Sequence, residues 1–258
     1  MSVGYALVDE VAVITLNRPQ VFNSIDQSLA DGLRGAFDRA STEARAAVLT
    51  GAGKAFCAGA DLSDLLDEYA DSGPDLHKTI TERFNPAVEA VLDAELPVVA
   101  AVNGAAAGAG FGIALACDLR VASDKAKFTT AFAKVGLGGD FGITWPLTRI
   151  VGEAKAKELL FLSDVLTAEQ ALQLALVNRV VPHDQHMKAV RELATRIARG
   201  PLISYRHMKE NVRLASTNDY AALLDREAIT QLRCGETQDH KEGVAAFTEK
   251  REPRFLGR

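Results

Sequence analysis

Pro97-Val98-Val99-Ala100-Ala101-Val102-Asn103-Gly104-Ala105-Ala106-Ala107-Gly108-Ala109-Gly110 is the stretch on which the reading of this chain turns. Val98 to Val102 is a short, uninterrupted apolar run, the pattern of a strand buried on both faces. Asn103-Gly104 turns the chain, and the run of small residues from Gly108 to Cys117 reads as a helix. The same plan occurs earlier, in Ala55-Phe56-Cys57-Ala58-Gly59-Ala60-Asp61-Leu62, with a helix expected over Asp61, Leu62, Leu65 and Leu66. Tiny side chains let a ligand approach the backbone closely. The first amides of a helix have no internal partner and carry partial positive charge. Two such ends facing each other would form an oxyanion hole from main chain alone. Close helix packing selects glycine and alanine equally well, so spacing leaves both readings open.

Outward from this stretch, strands and helices alternate. Val3 to Leu16 reads as a hairpin with Asp9-Glu10 at its middle. Asp26 reads as the N-cap of a helix through Leu29, Leu33, Ala36 and Phe37. Ala46 to Thr50, Leu119 to Ala122 and Val177 to Val181 read as short strands, and Ile80, Phe84, Val88, Val91 and Leu92 share a helical face. Residues 130 to 176 read as mostly helical, interrupted by the flexible Gly136 to Gly142. From His183 onward the pattern is helix only, with stops at Gly200-Pro201 and helices near 202–214, 219–234 and 239–249. The fold class is therefore α/β with parallel pairing. A core over residues 1–196 and a helical C-terminal region over 197–258 are expected.

The chain has 258 residues, 48% of them hydrophobic and 24% charged, which is the composition of a globular protein able to bury a large core. The formal charge is −5, without the basic footprint of a nucleic-acid binder. No stretch resembles a signal peptide or membrane span, so a cytoplasmic protein with no membrane or nucleic-acid partner is expected. Cys57, Cys117 and Cys234 are widely separated and read as inert thiols.

Several familiar chemistries fail on single residues. Gly108-Ala109-Gly110-Phe111-Gly112 invites a dinucleotide reading, but Ile113 stands where the fingerprint needs glycine or alanine. The chain contains neither a G-x-S-x-G elbow nor a Walker A loop. His183 and His186 open a helix without the further ligands a metal would need, so no metal and no cofactor is expected.

Taken together, Asn17-Arg18-Pro19 with Asn23, Gly51 to Leu62, Pro97 to Asp118, Gly136 to Gly152, Leu166 to Pro182 and Glu242 to Lys250 resemble the crotonase (enoyl-CoA hydratase/isomerase) superfamily. The resemblance implies a spiral of ββα turns, a C-terminal helical region used in trimers or dimers of trimers, and acyl-CoA thioester substrates. CoA would be part of the substrate rather than a cofactor. By position, the two oxyanion amides fall on Ala60 and Ala109. Substrate or CoA contacts fall on Arg18, Lys54, Ala58, Asp61, Leu62, Phe132, Phe247 and Lys250.

The departures narrow the activity. The two glutamates of enoyl-CoA hydratases would fall at Gly112 and Phe132, neither of which transfers a proton. Asp140, in Gly136-Leu137-Gly138-Gly139-Asp140-Phe141-Gly142, matches the aspartate that serves as acid/base in the ring-1,2-epoxyphenylacetyl-CoA isomerase group. The resemblance thus implies an isomerase in which one carboxylate moves a proton beside a thioester. Phe132, Phe141 and Trp145 would form an apolar wall that raises its pKa. The plainer role for Asp140 is to cap the helix that begins near Gly142. Three alternatives stand beside the isomerase. One is a hydratase using Asp140 with an unrecognised second acid, Asp61 and Asp64 lying near the first small-residue segment. Another is a relative of 4-chlorobenzoyl-CoA dehalogenase with Asp140 as nucleophile. The last is a non-catalytic thioester-binding homologue.

Overall fold

The computed structural model describes residues 1–61, 73 and 75–258. Two sheets share the chain. The larger is ordered β1 (Val3–Val8), β2 (Val11–Leu16), β3 (Ala46–Gly51), β5 (Val98–Val102), β7 (Leu119–Ser123), β10 (Arg179–Val181). Only β1 and β2 pair antiparallel in it; every later pairing is parallel. The hairpin turn is Asp9-Glu10, both left-handed at φ 51° and 62°, as a two-residue turn matched to strand twist requires. The smaller sheet is ordered β4 (Ala55–Cys57), β6 (Ala105–Ala107), β8 (Lys127–Thr129), β9 (Leu166–Thr167).

The two sheets are laid down together. β3 runs into β4, β5 into β6 and β7 into β8, each pair giving one strand to each sheet before a helix carries the chain back. The chain is thus a spiral of ββα turns. β3 and β5 are buried along their whole length, which explains why they read as continuous apolar runs rather than alternating ones.

Alternate residues of these strands serve different helices. Val48, Val99, Ala101 and Val121 meet Val190, Ala194 and Ala198 of α7 (His183–Ala198). Leu49, Val98, Ala100 and Ala122 face the main core with Leu29, Leu33 and Phe37 of α1 (Gln27–Glu43). Asp26 caps α1 as expected, accepting from Leu29 N at 2.8 Å. The next helical segment runs as α2 (Leu76–Thr79), a π turn over Ile80–Phe84, and α3 (Asn85–Leu92). α4 (Ala109–Ala116) is buried over most of its length.

Residues 130 to 176 are less helical than their pattern suggests. A short 3-10 turn over Phe132–Val135 leads into an irregular loop, then α5 (Thr144–Leu162), with Gly152 out of helical conformation, β9, and α6 (Ala168–Gln173). The strand expected from Val177 begins only at Arg179, because Asn178 spends its amide and side chain on Arg120.

After α7 the chain is helical: α8 (Leu202–Ala215), α9 (Tyr220–Gly235) and α10 (Gln238–Glu249). Asp219 and Thr237 cap the last two. The tail folds back, with Leu256 N and Gly257 N donating to the buried Asp239 carboxylate at 2.6 and 2.9 Å. Among the described residues, no helix is long and apolar enough to cross a membrane.

Candidate active site

Two asparagine clamps, the buried Asn23 and the partly exposed Asn103, fix the first small-residue segment. Asn23 Nδ2 lies 2.9 Å from Ala52 O and Ala55 O and 3.2 Å from Phe56 O, while its Oδ1 accepts from Arg18 N at 2.9 Å. From the other side, Asn103 accepts from Gly51 N and donates to Gly53 O and Ala55 O. β4 leaves this grip through Ala58, whose amide donates to Phe22 O at 3.0 Å. Ile25 and Ala60 then form an isolated parallel bridge, with Ile25 N on Gly59 O and Asp61 N on Ile25 O. That pattern spends the amides of Ile25 and Asp61 and turns the amide of Ala60 away from Ile25.

The second segment presents its amide by helix geometry. Ala109 is the first residue of α4, following Gly108 at φ 51°, and the first bond along the helix is Gly112 N to Gly108 O at 3.0 Å. Ala109 N therefore has no acceptor within its helix. The segments nearly touch: a Cβ on Gly59 (φ 105°) would lie 3.0 Å from Ala107 O and 3.6 Å from Ala109 N. A Cβ on Gly110 would lie 2.2 Å from Cys57 O. The close packing expected of such small residues is thus present, and it sets Gly59 beside Ala109 N.

Asp140 sits in the loop between the 3-10 turn and α5. Its Oδ1 is buried and has no hydrogen-bond partner among the described residues. It does not cap α5: the Asp140 carbonyl, not its carboxylate, accepts from Ile143 N, and α5 has no side-chain cap. Burial alone pushes its carboxyl up to about 6. The loop is tightly wound, with Gly139, Phe141 and Gly142 all left-handed. Phe132 joins this loop to the oxyanion segment. Its ring edge lies 3.7 Å from a Cβ position on Gly108 and, at its other side, 3.9 Å from one on Gly139. Phe132 and Phe141 are buried, whereas Trp145 is 41% exposed and stacks under Arg149, so the apolar surroundings come from the phenylalanines.

The remaining expected contacts are scattered. Arg18 is engaged by Asp61 Oδ2 at 3.0 Å, Asp26 Oδ2 at 3.2 Å and Ser24 O at 2.7 Å. Lys54 is exposed on the β3–β4 turn, and Ala58 is exposed beside it in sequence. Leu62 and Asp64, with the helix expected after Asp61, lie outside the described residues. Phe247 and Lys250 stand on the C-terminal helices, where Phe247 lines a different groove with Met208, Gln231 and Phe255. His183 Nδ1 bonds Ser123 Oγ at 2.9 Å and His186 Nε2 bonds Val121 O at 3.0 Å, so this pair is structural. Burial pushes the Cys57 and Cys117 thiols up to about 12, away from thiolate chemistry. Among the described residues, no cluster of three or more His, Cys, Asp or Glu could hold a metal ion.

Sequence reasoning missed the asparagine clamps and the contact of Phe141 with Gly112. Asn23 and Asn103 were visible as motif residues, but their acceptors come from other turns of the spiral.

Residues 8–258 match the family model described as enoyl-CoA hydratase/isomerase. The chain belongs to the enoyl-CoA hydratase/isomerase family. Among its relatives is a probable enoyl-CoA hydratase of Rhodobacter capsulatus, 40% identical over 100% of this chain and 98% of that one. The 1,2-epoxyphenylacetyl-CoA isomerase of Escherichia coli is 37% identical over 96% and 95% of the two chains. The fold superposes on a crystal structure of an enoyl-CoA hydratase/isomerase from Mycobacterium abscessus with a TM-score of 0.95, at 36% identity over 99% and 100% of the chains. The spiral of ββα turns is thus the crotonase fold, and the relatives carry both hydratase and isomerase names.

Proposed function

We propose that this family member isomerises acyl-CoA thioesters by moving one proton. The observation that carries the proposal is Asp140, a half-buried carboxylate whose buried Oδ1 has no hydrogen-bond partner among the described residues and whose pKa is raised to about 6. In this reading the thioester oxygen sits between the amides of Ala60 and Ala109. Those donors stabilise the enolate formed when a carbon proton leaves. Asp140 takes that proton and returns it elsewhere on the acyl chain, shifting a double bond or opening an epoxide-type precursor. A pKa near working pH suits a group that must both accept and donate.

Lys54, Phe247 and Lys250 are proposed to meet the CoA portion, the last two from a neighbouring copy. The exposed apolar residues Met208, Val212, Leu224, Leu232 and Val244 of the C-terminal helices support self-association into a trimer or a dimer of trimers. Arg18, already held by two carboxylates, is the weakest member of the set.

The hydratase reading is favoured by the name of the Rhodobacter relative. Product analysis separates the two. Given a 3-enoyl-CoA, the protein is expected to yield the 2-enoyl isomer at unchanged mass, and Asp140→Asn is expected to abolish the conversion. A product heavier by one water would establish hydration instead. Binding without conversion of any enoyl-CoA would establish the non-catalytic role.

A further inference from the structure

We infer that Gly112 and Phe141 act as a positioning pair, seating Asp140 against the helix that begins at Ala109. This rests on the isomerase reading above. A Cβ on Gly112 would lie 2.9 Å from Phe141 Cβ and 3.2 Å from Phe141 O. Those are a backbone atom and a side-chain root, which cannot swing aside. Position 112 therefore carries no side chain in this arrangement, and a carboxylate there would have to displace the loop.

The contact ties two parts of the reaction together. Gly112 lies one turn along the helix whose first amide is that of Ala109, and it donates to Gly108 O at 3.0 Å. Phe141 is peptide-bonded to Asp140. One point of contact thus sets where the base stands relative to the oxyanion donor. Phe141 is held from behind as well. Its ring packs on Phe84 at 5.3 Å between centroids, and Phe84 closes the π turn Ile80–Phe84. π turns are frequent at functional sites. Phe141 is only 2% exposed and is left-handed at φ 48°, a conformation that costs a bulky residue energy and persists only where surrounding packing enforces it.

The same contact bears on the choice between adding water and moving a proton. Hydration needs a positioned water and a second group to handle its proton; the space above Gly112 is taken by Phe141 Cβ, Phe141 O and Ile143 Cβ. Among the described residues, burial is the only cause of the raised Asp140 pKa. Of the charged side chains on elements packed around the loop, Lys134, Glu82 and Glu89 are exposed, Arg83 reaches Gln27 Oε1 at 2.6 Å, and Arg149 stacks on Trp145.

The test compares Gly112→Ala, Phe141→Ala and Phe141→Leu with the wild type. Two readouts are followed: the carboxyl carbon of Asp140 by NMR titration, assigned by difference with Asp140→Asn, and steady-state turnover with product mass. In Gly112→Ala the loop lifts. Asp140 should then titrate closer to the ordinary carboxylate range, and kcat should fall by about a hundredfold with KM nearly unchanged, as a misplacement of the order of an ångström does. Phe141→Ala should follow it, and Phe141→Leu, which keeps an apolar filler, should titrate like the wild type. A folded Gly112→Ala protein that titrates and turns over as the wild type does would overturn the inference. So would loss of the Asp140 shift in Phe141→Leu equal to that in Phe141→Ala. If Phe141→Ala fails to fold, the other two variants decide. If the wild type isomerises nothing, the functional reading falls, while the titrations still report whether the pair positions Asp140.

Discussion

Asp61 and Asp140 both neighbour the site, and the fold treats them in opposite ways. Asp61 accepts from the Arg18 guanidinium at 3.0 Å and from Ser24 Oγ at 3.0 Å, and its backbone amide is spent on Ile25 O. Asp140 is half-buried beside phenylalanines with Oδ1 unpartnered among the described residues. The first arrangement is what stability alone selects, since buried polar groups are nearly always satisfied. The second raises the free energy of the ionised fold and needs another reason to exist. Asp61 is therefore a poor candidate for proton transfer here, although it directly follows Ala60.

The comparison is broken most sharply at Asp140 itself. Asp140→Asn keeps the shape and the oxyanion amides but removes the acid/base, so kcat should fall by about 10² to 10⁴ while KM stays near its original value. A variant that turned over like the wild type would return Asp140 to the ordinary carboxylates. Arg18→Met attacks the satisfied side of the pair. It withdraws a guanidinium from Asp26 and Asp61, both largely buried at 21% and 11% side-chain exposure. The expected cost is about 1–3 kcal/mol, or a fall of several degrees in Tm for a chain this size. KM for a CoA thioester should move by less than about threefold. A large rise in KM at unchanged Tm would instead move Arg18 from the scaffold into the CoA site.

Much of this was legible in the sequence, and what was not has physical reasons. The parallel α/β core is carried by strands such as Val98–Val102, whose apolar runs have only one comfortable environment. The two small-residue segments are carried by glycines such as Gly59 and Gly110, where an added Cβ would meet neighbouring backbone at 3.0 and 2.2 Å. Of the smaller sheet only β4 was legible, as the strand leading into the first small-residue segment. Ala105–Ala107 has no alternation and no β-branched residue, and it is a strand only because Ala55–Cys57 and Lys127–Thr129 flank it. Residues 130–143 read as helix with an interruption, but the interruption is the ordered part: its left-handed positions wrap Asp140 around a packed Phe141. The contact of Phe141 with Gly112 spans 29 positions, and no local pattern encodes it. Asp140 was picked out by family resemblance. That its carboxylate caps nothing is visible only in three dimensions.

The smallest effect is also the one that most directly separates the two aspartates. A folded-state pKa raised from 3.8 to about 6 means that folding favours the protonated acid. Well below pH 3.8 both folded and unfolded chains hold the proton, and Asp140 costs nothing. As pH rises from 4 through 6 the unfolded chain ionises first, and stability is lost until both states are ionised. At pH 7 the wild type therefore carries a penalty that Asp140→Asn, neutral at every pH, does not. Two pK units are worth nearly 3 kcal/mol, and residual solvent contact reduces this to about 1–2 kcal/mol. Chemical denaturation of the two proteins should find the asparagine variant more stable at pH 7.5, with the advantage shrinking as pH falls through 6 and 4 and gone by about pH 2–3. Asp61→Asn should behave oppositely at neutral pH, losing stability because it weakens a carboxylate that the fold has supplied with partners. An Asp140→Asn protein less stable than wild type at pH 7.5 would mean that the carboxylate is satisfied after all, and the asymmetry between the two aspartates would disappear with it.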